Sequence, residues 1–115
     1  MTAPLPKAVH VGARRYAIVA DQVALDRAQV KLRADLNGCT NNEQLVITLD
    51  ATNHADVVKE TLLHEVLHTI TEYTGVDDDL GADDEEKVVN RLAPVLLDVL
   101  RRNPKLVAYL TDTDA

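Results

Sequence analysis

Three residues in the stretch Thr61-Leu62-Leu63-His64-Glu65-Val66-Leu67-His68-Thr69-Ile70 have types and spacing that could do chemistry. His64 and His68 are two of the four histidines in the chain, and Glu65 directly follows the first. On a helix, residues four apart lie about 40° apart around the axis and one turn along it. Two imidazoles so placed can share one ion at the ~2.0–2.1 Å reach of zinc–nitrogen bonds. A carboxylate beside them can hold a water on the metal without binding the metal itself. The ion lowers the pKa of that water, the carboxylate takes its proton, and the same carboxylate can pass the proton to a leaving amine. His64 and His68 are thus candidate zinc ligands and Glu65 a candidate general base. His-x-x-x-His alone would bind metal; the inserted glutamate adds hydrolysis.

Positioning these groups requires a helix with a separate polar face. Around the axis, Thr61 and Glu72 fall between His64 and Glu65, while Leu62, Leu63, Val66, Leu67, Ile70 and Tyr73 form an apolar sector. Asn53 or Thr52 is expected to cap this helix and Gly75 to end it in a left-handed conformation. Upstream, "AVHVGARRYAIVAD" predicts a hairpin with strands near Val9–Val11 and Tyr16–Val19. Asp21 then caps a helix from about Gln22 to Leu36, stopped by Asn37-Gly38. "CTNNEQ" is expected as a polar loop and "QLVITLD" as the third strand. An acidic loop, "VDDDLGADDEE", leads to a helix over about Asp84–Arg102, kinked or restarted at Pro94, and "NPKLVAYL" predicts a short terminal helix. The expected fold class is α+β, one domain over residues 1–115 with a three-stranded sheet.

H-E-x-x-H also arises by chance, so the zinc reading depends on a third ligand. No histidine follows His68, which excludes a third histidine downstream; His54 is read as a capping or surface residue and His10 lies in a strand. A carboxylate is therefore required. With Glu86 as reference on its helix, Asn90, Ala93 and Leu97 share its face, whereas Val88, Leu92, Val95, Leu96, Val99 and Leu100 form the expected core face. Glu85 falls among those apolar residues and could ligate only if the helix were rotated or began later. Glu86 is preferred as the ligand. Asn90, one turn on, and Glu72 on the motif helix are the expected hydrogen-bonding partners of the ligands.

Composition bounds the remaining possibilities. The chain is 46% hydrophobic and 27% charged with a formal charge of −7, which is ordinary globular usage and argues against general affinity for nucleic acid or an anionic membrane. No apolar run reaches membrane-spanning length and the first residues lack a signal-peptide layout, so a cytoplasmic protein is expected. The single cysteine, Cys39, agrees with a reducing compartment and is expected as a half-buried loop residue rather than a catalytic thiol.

Together these residues resemble the gluzincin metallopeptidases, which pair H-E-x-x-H with a glutamate on a later helix, and most closely the compact ImmA/IrrE-like proteins of bacteria, phages and mobile elements. Their second motif, E-x-x-A-N-x-F-A, is similar to "EKVVNRLA" from Glu86 to Ala93. The likeness covers about half the chain, from the strand at Leu45 to near Arg102. It implies Zn2+ bound by His64, His68 and Glu86, Glu65 as general base, and a zincin-like fold in which a small twisted sheet lies over the motif helix. It also implies a protein or peptide substrate, with transcriptional regulators among the candidates, docked along "QLVITLD" as an edge strand. Tyr73, Arg91 and Tyr109 are unranked candidates for supporting an oxyanion. The competing expectation is a non-catalytic, metal-stabilised interaction module of phage or toxin–antitoxin type.

Overall fold

The computed structural model describes residues 3–21, 23–26 and 37–113. Strands β1 (Ala8–Val11) and β2 (Arg14–Ala20) form the expected hairpin around Gly12-Ala13, with Val9 opposite Tyr16. Asp21 then accepts a hydrogen bond from the backbone N–H of Ala24 at 3.1 Å, as an N-cap should, and residues 23–26 are helical. The rest of the helix expected over Gln22–Leu36 lies outside the described residues.

Two further strands follow, one more than expected. β3 (Gly38–Asn41) runs from the expected helix stop into the stretch read as polar loop, and Val46–Leu49 forms β4. The sheet is mixed, in the order β1-β2-β4-β3, with β4 parallel to β2 and antiparallel to β3. Asn41 turns the chain between β3 and β4, its side-chain oxygen accepting from the N–H groups of Glu43 and Gln44. Gly38-Cys39-Thr40-Asn41 carries no apolar alternation, and its backbone pairing with β4 sets its conformation. β4 is paired on both sides, so it is not the edge that "QLVITLD" was expected to offer.

Helix α1 (Ala55–Thr74) carries the motif, starting one residue after the expected caps: His54 itself accepts from the N–H of Asp56 through Nδ1. It ends as expected at Gly75, whose φ of 81° is the left-handed conformation glycine adopts without a Cβ penalty. The core consists of Val11, Tyr16, Ile18, Ile47 and Leu49 on one sheet face, against which Val58, Leu62 and Val66 of α1 pack. Gly38 lets α1 lie close to β3, because a Cβ there would stand 2.8 Å from Thr61 Cγ2 and 3.0 Å from Leu49 Cδ2. Ile70 and Tyr73, placed by sequence on the apolar sector, are 40% and 42% exposed.

The acidic segment is helical rather than a loop: α2 (Val76–Leu80) follows Gly75 directly, and α3 (Ala82–Arg102) begins after Gly81. Acidic residues in both first turns are favoured by the helix dipole. α3 continues through Pro94 without a restart, and α4 (Pro104–Thr111) closes the described chain as expected. The packing of α3 differs from its sequence phase. Glu85 is buried, as its place among the apolar residues predicts, but Val89 and Ala93 are buried beside it, whereas Leu92 and Val95 of the expected core face are 54% and 61% exposed. α3 packs on the helices α1, α2 and α4 rather than on the sheet. A row of smaller residues one turn apart allows the close approach to α1, and the bulkier row is left outward. No helix among the described residues is long and apolar enough to cross a membrane.

Candidate metal centre

The middle of α1 and the first turns of α3 face each other beside the edge strand β3. His64 and His68 are both half-buried, with ring centroids 4.5 Å apart and planes at 74°. Their Nε2 atoms stand 2.9 Å apart. Glu86 reaches this point from α3, with Oε1 3.3 Å from His64 Nε2 and Oε2 3.0 Å from His68 Nε2. Zinc ligands at ~2.0–2.1 Å in a tetrahedron lie about 3.3 Å from one another, so the three donors have nearly the required separations. Among the described residues, His64, His68 and Glu86 are the group of histidine, cysteine and acidic residues whose ligand atoms converge in this way.

The opposite side of His68 constrains the donor chemistry. Nδ1 lies 2.6 Å from Glu85 Oε1, and a carboxylate can only accept there, so Nδ1 carries the hydrogen. On the neutral ring Nε2 is then bare and directed at His64 and Glu86. Two imidazole nitrogens and a carboxylate oxygen that meet at one point need a shared hydrogen or a cation between them. The donor set, two imidazoles and one carboxylate, suits Zn2+.

Glu65 stands next to the cluster but outside it. It is 7% exposed, and its Oε2 accepts a hydrogen bond of 2.7 Å from the Thr40 hydroxyl on β3. Thr40 and its sheet partner Ile47 share the face toward α1, which explains why a threonine on this strand reaches the motif. Two cavities open beside the cluster, of about 470 and 520 Å3, both bordered by Glu65, His68 and Glu86. The first runs along Asn37, Gly38 and Cys39; the second includes Glu72, Asp77, Asp78 and Glu85.

Of the residues singled out by sequence, the fold brings His64, Glu65, His68 and Glu86 together. Asn90 borders the first cavity, but among the described residues no hydrogen bond joins it to the cluster. Glu72 does not support the ligands: its carboxylate is engaged by Arg14, whose guanidinium also donates to the Tyr16 hydroxyl at 3.2 Å. That pairing holds the hairpin against the end of α1 and keeps the Arg14 guanidinium firmly protonated, first through its bond to Glu72. Tyr73 is committed elsewhere too, its hydroxyl accepting from the N–H of Ala13 at 3.1 Å. Tyr109 is 81% exposed on α4, and neither it nor Arg91 borders either cavity. Sequence reasoning missed Thr40 and weighed Glu85 only as a rival ligand. A carboxylate paired with Glu86 in an "EE" step was the one available signal for the latter.

Compared with known proteins, the chain matches no protein-family model, no curated protein and no solved structure.

Proposed function

We propose that the protein is a zinc-dependent metallopeptidase of gluzincin type, with a compact zincin-like arrangement of sheet, motif helix and glutamate helix. The observation that carries this reading is the convergence of His64, His68 and Glu86 at 2.9–3.3 Å with Glu65 immediately beside them. His64, His68 and Glu86 would hold the zinc ion. When bound, zinc supplies Lewis acidity toward a carbonyl oxygen and lowers the pKa of a water at the site.

The remaining chemistry belongs to the chain. Glu65 takes the proton of the attacking water and delivers it to the leaving amine, and Thr40 fixes the carboxylate's orientation by holding Oε2. β3, the end strand of the sheet among the described residues, borders the cavity beside the histidines and is the strand along which an extended peptide would dock, in place of the inner strand β4. Polypeptide is the favoured substrate class, and a cytoplasmic setting accords with the lone thiol.

One observation favours a metal-stabilised interaction module instead: Glu65 is buried and bonded to Thr40, as a purely structural carboxylate would be. Zinc content and peptide cleavage by wild type, Glu65→Gln and Glu86→Ala decide between them. For the enzyme, Glu65→Gln keeps zinc while cleavage falls by about 10²-fold or more, and Glu86→Ala loses zinc. Equal cleavage by wild type and Glu65→Gln would remove the general-base role, and a wild type without affinity for zinc would remove both readings.

A further inference from the structure

Helix α3 carries two consecutive glutamates near its start, Glu85 and Glu86, and both reach the same imidazole from opposite sides. Glu86 Oε2 lies 3.0 Å from His68 Nε2, while Glu85 Oε1 lies 2.6 Å from His68 Nδ1. A step of about 100° between neighbouring helical residues separates the two carboxylates around α3, and His68 lies between them. Their surroundings differ sharply. The Glu85 side chain is 10% exposed, against 51% for Glu86. Glu85 is also fixed by the Thr71 hydroxyl, 2.7 Å from the same Oε1 that faces His68. A carboxylate buried to this extent requires partners that donate hydrogen bonds, and Thr71 and His68 are those partners.

Resting on the zinc reading, we propose that Glu85 is a positioning residue of the metal centre: it fixes His68 in the Nδ1–H tautomer and presents Nε2 to the ion, while Glu86 ligates. The placement makes the centre asymmetric. His68 is gripped on both nitrogens by the first turn of α3, whereas His64 meets that turn only through Glu86. Thr71, one helical turn from His68 and on α1 itself, completes a chain from α1 through Glu85 and back to α1. Docking of α3 thereby delivers a ligand and orients another in one event. A partner that holds a metal-ligating histidine through its second nitrogen contributes about 10–100-fold to metal affinity.

The test measures zinc affinity by chelator competition, the ligand field of the Co2+-substituted protein by visible absorption, and the His68 tautomer by 15N NMR of the metal-free chain. The variants are Glu85→Gln, Glu85→Ala and Glu86→Gln, each checked for folding by circular dichroism with metal removed. Glu85→Ala is expected to weaken zinc binding by about 10–100-fold while keeping the wild-type Co2+ absorption at saturation. Glu85→Gln, whose amide oxygen can still accept from Nδ1–H, is expected to recover most of that affinity. Glu86→Gln is expected to change the Co2+ spectrum itself. The proposal is overturned if wild type and Glu85→Ala bind zinc equally with the same His68 tautomer, or if Glu85→Ala alters the Co2+ ligand field as a lost ligand does. Should Glu85→Ala lack the fold, the metal-free wild type carries the test: an Nδ1–H tautomer of His68 supports the role, and an Nε2–H tautomer overturns it. Failure of wild type to bind zinc at all is a separate result that removes the metal reading.

Discussion

At the scale of single residues, chemistry depends on which polar atoms are held and which are left facing a common point. His64, His68 and Glu86 are aimed at one another, Glu65 is set beside them by Thr40, and Glu85 is turned to the far side of His68. Cys39 shows the contrast. It borders the first cavity, yet burial, reinforced by the negative charge of Glu65, pushes its thiol above the usual range. A raised thiol pKa means less thiolate at neutral pH, so Cys39 is expected to react with iodoacetamide at pH 7.5 more slowly than a free cysteine. Its rate should continue to climb at pH values where the free thiol has already levelled off. Mass-spectrometric alkylation rates between pH 7 and 10 check this, and a rate at pH 7.5 equal to or above that of free cysteine would contradict it. The half-buried state of Cys39 agrees with the sequence reading, but the residue lies on a strand and not in the expected loop.

Among the elements, α3 was the one whose orientation sequence could not fix. Its apolar residues gather in one broad sector, and hydrophobic phase centred that sector on Val88, Leu92 and Val95 as the inward row. Contact with α1 instead selects Glu85, Val89 and Ala93, a row of side chains small or polar enough to lie against the motif helix. Val89→Ala is therefore expected to destabilise by about 1–2 kcal/mol through lost burial, whereas Leu92→Ala, at a site 54% exposed, is expected to cost less than about 1 kcal/mol. Urea unfolding of the two variants measures the difference, and the opposite order would mean that the helix is rotated as its hydrophobic pattern suggested. β3 illustrates the same limit. Gly38-Cys39-Thr40-Asn41 has no strand-like alternation, and becomes a strand because the outer side of β4 offers unpaired backbone groups.

For the whole molecule, the cluster joins parts that are otherwise linked mainly by helix packing: α1, seated on the sheet, and α3, which rests on helices. Zinc bound only by the folded state should therefore stabilise it, by about 2.7 kcal/mol at a free concentration 100 times Kd. A melting-temperature rise of several degrees is expected for wild type with zinc and not for Glu86→Gln; scanning calorimetry with zinc and with chelator provides the measurement. An equal rise in both proteins would place the stabilising metal elsewhere. What the sequence determined by itself was whatever a single element carries: two histidines one turn apart, the neighbouring glutamate, the hairpin, the stop at Gly75. Backbone geometry over four or five residues sets those relations irrespective of the rest of the chain. Only the tertiary structure decided that Glu86 meets the histidines while Glu85 meets the far nitrogen of His68, that Glu72 serves Arg14, and that β3 rather than β4 stands at the end of the sheet among the described residues. Each of these depends on how one element is rotated or paired against another, and packing of side chains from distant stretches sets that relation.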